Sequence, residues 1–142
     1  MRFICFIIFI FSTALFASER ELPAGTFRGV SFSLEKNGVL ILSNKDVHFN
    51  KSTLQITKVS SHIYDFTVAV YLQYTPESKA LTDTRIDRYK VIWKSETMGA
   101  LINQREEYEN ELSEFLILAD NFTIKSLVST SGIIETQTYK IE

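Results

Sequence analysis

The residues best suited to metal or acid–base chemistry in this 142-residue chain are two histidines, His48 and His62, and an acidic run, Glu106, Glu107, Glu109, Glu111 and Glu114. Imidazoles that share a metal are usually set at compact spacing, such as i, i+4 on one helix face, so that both reach the same ion. The separation of His48 and His62 fits no such pattern. The glutamates lack the Asp-x-Asp-x-Asp-Gly loop that wraps calcium, and on a helix they read as a solvated face. No serine sits in a Gly-x-Ser-x-Gly elbow, and the single cysteine, Cys5, lies in the N-terminal apolar run. These absences predict a non-enzymatic protein with no metal and no cofactor.

The aromatic residues make a stronger case for a site. Tyr64, Phe66, Tyr71, Tyr74, Tyr89 and Trp93 fall on two strand-like segments. In a curled sheet such rings either fill the interior or line a pocket for an apolar or ring-bearing ligand. Tyr64, Tyr71, Tyr74, Tyr89 and Trp93 are therefore the candidate ligand-binding residues. A hollow interior predicts a cavity of about 300 Å³ or more beside Trp93 or Tyr71. A packed interior predicts instead an exposed apolar patch.

The elements that must position these rings are read from a period of two. Tyr64, Phe66, Val68, Val70, Leu72 and Tyr74 alternate with Asp65, Thr67 and Gln73, which describes a long strand with one firmly buried face. Val30, Phe32 and Leu34 alternate with Ser31, Ser33 and Glu35, then Asn37-Gly38 precedes Val39 to Leu42. An Asn-Gly pair between strand patterns predicts a hairpin on a type I′ turn, here over 26–35 and 39–43. Arg28-Gly29 interrupts the parity and predicts a bulge or bend. Further strands are expected at 47–50, 53–59, 85–94, 97–102, 122–129 and 133–141, with a polar loop over 75–83. Asn103 with Glu106 resembles a helix N-cap with an acid three residues on, ahead of Tyr108, Leu112, Phe115 and Leu116, and predicts one helix at 104–116.

Many short strands, short connections and one helix define an all-β, mainly antiparallel domain. The expected architecture is a small up-and-down barrel or curled meander, because closure removes exposed strand edges. A β-sandwich and an α+β sheet are the alternatives. Gly25-Thr26-Phe27 at the entrance to the first strand resembles the Gly-x-Trp opening of lipocalins over three residues, with Phe27 in place of the tryptophan. That resemblance carries neither membership nor ligand binding.

Arg2, the apolar run Phe3 to Phe11 and the small residues Ser12, Thr13, Ala14 and Ala17 form a secretory signal pattern, with processing between Ala14 and Ala17. Residues 1–17 are thus expected to leave a single exported domain, 18–142, that is periplasmic or secreted and disulfide-free. The net charge of −2 and the lack of a dense basic tract exclude nucleic acid as an expected partner. No later run approaches the roughly 20 apolar residues of a spanning helix. The functional expectation is a barrel-like binding domain for a small apolar ligand. Its alternative is an interaction or inhibitor domain of the cell envelope with a solid core, whose partner is another envelope or extracellular protein.

Overall fold

Asn37 and Gly38 take positive φ, 54° and 77°, the pair a type I′ turn requires, and so fold the first strand back on the second. A computed structural model describes residues 20–108, 111–128 and 131–141; the signal-like segment lies outside the described residues. Nine strands follow in order: β1 (Gly25–Lys36), β2 (Val39–Ser43), β3 (Thr53–Ser60), β4 (Ile63–Leu72), β5 (Leu81–Trp93), β6 (Met98–Asn103), β7 (Glu111–Leu118), β8 (Asn121–Val128) and β9 (Ile133–Ile141). They form one antiparallel sheet in the order β2-β1-β3-β4-β5-β6-β7-β8-β9, and β9 returns to pair with β1. The sheet is therefore a closed eight-strand barrel with β2 as an extra strand.

β1 makes this possible by pairing with different partners along its length. Gly25 to Arg28 face Ile56 to Thr53 on β3, while Ser33 to Lys36 face Ser43 to Val39 on β2. The register to β9 shifts between Gly29 and Ser31, the bulge that the broken parity predicts, and bulges of this kind bend a strand around a barrel.

One side of each strand fills the interior. Phe122 lies at its centre, fully buried, with ring centroids of Phe27, Phe115 and Phe66 at 5.9, 5.8 and 6.0 Å. Tyr89 meets Phe66 edge-on at 5.0 Å and Trp93 meets Phe115 at 5.0 Å. The segment before β1 closes this end: Leu22 is buried and its N–H donates to Tyr64 Oη at 3.3 Å, while Trp93 Nε1–H donates to the Arg20 carbonyl at 3.2 Å.

Among the described residues the helix expected over 104–116 is absent. Only a 3-10 turn, Glu106–Tyr108, precedes β7; residues 109–110 are outside the described residues. Leu112, Phe115 and Leu116 satisfy helical spacing, but Ser113, Phe115 and Ile117 also share one strand face. Pairing of β7 to both β6 and β8 satisfies its backbone on two sides, which a helix on the barrel wall could not do. β5 also begins earlier than expected, at Leu81 rather than Arg85, since Leu81 to Thr84 continue the ladder opposite Leu72 to Ala69.

The strand expected at 47–50 is a covering loop with a single bridge, His48 to Gln73. Ser52 anchors it. This fully buried side chain accepts from the Tyr71 N–H at 2.8 Å and donates to the Tyr71 carbonyl at 3.1 Å. Ser52→Ala leaves both backbone groups without that partner and is expected to destabilise the fold by roughly 2 kcal/mol, read as a lower urea midpoint with an unchanged slope.

Candidate functional site

Away from the sealed end, the inward face changes character. β5 and β9 each run from an aromatic floor to charge: Tyr89, Asp87 and Arg85 on one, Tyr139, Gln137 and Glu135 on the other. Every second residue of a strand shares a face, so these are the positions that continue the core pattern of Val91 and Trp93 towards the open end. Their ladder neighbours fix the depth. Arg85, Asp87 and Tyr89 lie opposite Val68, Phe66 and Tyr64 on β4, while Glu135, Gln137 and Tyr139 lie opposite Ser126, Ile124 and Phe122 on β8. Glu111 and Ser113 on β7 are on the same face as Phe115, and the Ser113 and Ser126 hydroxyls meet at 2.9 Å.

Between the two walls is a cavity of about 10 Å³, lined by Phe66, Arg85, Tyr89, Ser126, Glu135 and Gln137 among others. That is room for one water. Arg85 Nε approaches Asp87 Oδ2 at 3.2 Å; the Asp87 side chain is 6% exposed and that of Arg85 48%. The guanidinium therefore sits at the rim, above a sunken carboxylate.

The electrostatics are lopsided. Burial works against the charge on Arg85, but Asp87, Glu135, Tyr89 and Glu111 outweigh it and raise its pKa. Burial pushes the Glu111 carboxyl up, with Asp87 and Glu135 adding to it and Arg85 opposing. Among the described residues neither Glu111 nor Glu135 has an ion-pair partner, and Glu135 accepts instead from Gln137 Nε2. Tyr139 Oη in turn donates to Gln137 Oε1. Burial raises the Tyr89 and Tyr139 phenols, so both stay neutral donors. One cation and three carboxyl groups thus share the mouth.

A carboxyl group raised by burial loses its folded-state advantage as it ionises. Glu111 therefore contributes least to stability once pH has risen through its elevated pKa. Charged groups turned inward are poor stabilisers and are concentrated where proteins bind or react.

The aromatic residues picked out by sequence divide. Tyr64 and Tyr89 are buried inside the barrel, and Trp93 stands at its sealed end. Tyr71 and Tyr74 do not join them. Tyr71 has the opposite parity on β4, with Lys51 Nζ 4.8 Å from its ring, and Tyr74 is 51% exposed beyond the strand end. The rings of Tyr64, Phe66, Tyr89 and Trp93 pack against neighbours, and the internal cavity touches neither Trp93 nor Tyr71.

His48 and His62 also stay apart, the first bridged to Gln73 by the open end and the second in the β3–β4 turn, at φ 64°. Among the described residues no three His, Cys, Asp or Glu side chains are grouped to hold a metal. The glutamate run is split by strand parity: Glu111 turns in, and Glu114 turns out to Lys94 at 2.6 Å. Sequence reading missed Arg85, Asp87, Glu111, Glu135 and Gln137. The signal was available for β5, because Arg85 and Asp87 occupy the parity of Tyr89, Val91 and Trp93.

No family model matches the chain, and no curated protein sequence matches it. Among solved structures it is similar to a siderocalin, Ex-FABP, said to function through dual ligand specificities. The TM-score is 0.55 at 13% identity, over 84% of this chain and 73% of the other. The shared feature is the fold, a closed antiparallel barrel.

Proposed function

We propose that this is an exported, non-enzymatic binding domain that takes a small ligand at the open end of its barrel. The observation that carries this reading is that Arg85 and Glu135 line a water-sized cavity walled by Phe66 and Tyr89, with Asp87 and Glu111 within electrostatic reach of Arg85. The aromatic belt is too full to hold a wholly apolar ligand, so the ligand has a polar head among the charges and a small apolar body on the ring floor. The secretory pattern of residues 1–17 supports delivery to the periplasm or the outside.

The test is amide chemical-shift mapping on the isotope-labelled domain 18–142 with three probes of one shape: phenethylammonium, phenylacetate and phenethyl alcohol. At least one is expected to shift the amides of 85–89, 124–126 and 135–137 while leaving 93–97 unmoved. No response at the open end to any of the three overturns the reading.

A second reading, as an interaction domain, is favoured by one observation. The outer wall of β6 to β9 carries a concavity of about 650 Å³ whose floor includes Ala100, Ile102, Leu112, Leu127 and Ile134. Leu112 is 64% exposed there, and exposed apolar surface of this kind marks contact sites.

A further inference from the structure

Resting on the open-end reading above, we infer that Arg85 is a built-in occupant of the binding site, and that the ligand it stands in for is a small organic cation, a protonated amine on an apolar body. The strand geometry is the first support. Arg85 is the cation at the rim and Asp87, two residues along the same strand, is its contact partner at 3.2 Å. Glu135 on the facing wall and Glu111 on β7 have no ion pair of their own among the described residues and meet Arg85 only by longer-range attraction. A guanidinium on a flexible stem, about half exposed, can swing out to solvent. The Asp87 carboxylate beneath it is almost fully buried and stays in place.

The second support is what lies below the charges. The cavity walls include the Phe66 and Tyr89 rings, which suit the apolar body of an amine and attract its charge through the ring faces. Withdrawal of the Arg85 head leaves an opening lined by Glu135, with Asp87 and Glu111 within electrostatic reach, above an aromatic floor. An anion would have to be held by Arg85 against those three carboxylates. A cation would replace Arg85 and meet the same partners.

The two alternatives predict opposite signs for one substitution. Calorimetric titration of the domain with phenethylammonium and phenylacetate is run on wild type, Arg85→Ala and Arg85→Met, the second keeping most of the stem. The expected result is that both variants bind phenethylammonium at least tenfold more tightly than wild type, phenylacetate binds to none, and adding Glu135→Gln to Arg85→Met reverses the gain. Phenylacetate binding that is lost with Arg85 would overturn the inference while leaving open-end binding intact. Absence of any amide response to all three probes is the separate failure of that underlying reading. If both Arg85 variants fail to fold, Arg85 is a structural counter-ion and the inference is wrong.

Discussion

Phe122→Ala is expected to destabilise the barrel by about 3–5 kcal/mol, a large share of the roughly 5–15 kcal/mol that holds a domain of this size together. Phe122 is fully buried and its ring faces three others, from Phe27 on β1, Phe66 on β4 and Phe115 on β7. These strands lie on different sides of the ring of strands, so the space left by truncation cannot be filled by movement of one neighbour. The lost transfer energy is then compounded by an unrelaxed cavity. Equilibrium urea denaturation reads the effect. Ile41→Ala on β2, 53% exposed, is the control and is expected to change stability by less than about 0.5 kcal/mol. Equal losses at the two sites would mean that the aromatic belt is not the core.

Gly29→Val is expected to destabilise by about 3 kcal/mol, the upper part of the range for overpacking. A Cβ at Gly29 would lie 2.5 Å from the Phe49 carbonyl oxygen and 2.8 Å from its ring. The carbonyl belongs to the loop that Ser52 pins down, and the Gly29 N–H donates to the Ser52 carbonyl at 2.7 Å, so backbone on both sides resists displacement. The added volume must therefore lift the loop or bend β1. Hydrogen exchange separates these outcomes from global loss: protection at Gly29 and Ser52 should fall more than at Phe122. Retention of full stability would show that the loop floats on the wall.

The sequence made the β4 spine, the Asn37-Gly38 hairpin and the bulge near Gly29 legible because each depends on local rules, alternation, positive φ and broken parity. β7 was not legible. Its apolar residues fit a helical face and a strand face equally, and the deciding interaction, hydrogen bonding to two neighbouring strands, is remote in sequence. The site was obscured for a related reason. Ring chemistry drew the eye to Tyr71 and Tyr74, although Tyr71 lies on the wrong side of β4 and Tyr74 beyond its end. Arg85 and Asp87 share the parity of Tyr89, Val91 and Trp93, but it is barrel closure that makes that side of β5 the inner one. Which wall Glu135 faces is likewise set by closure through β1 and β9, a long-range pairing that no local window contains.

The strap formed by Arg20 and Leu22 gives the molecule a direction. The backbone leaves it beside Trp93, at the pole opposite Arg85. Anything fused or tethered ahead of Arg20 therefore attaches at the sealed pole, so an immobilised or surface-linked form would present the Arg85 pole to the medium without a spacer.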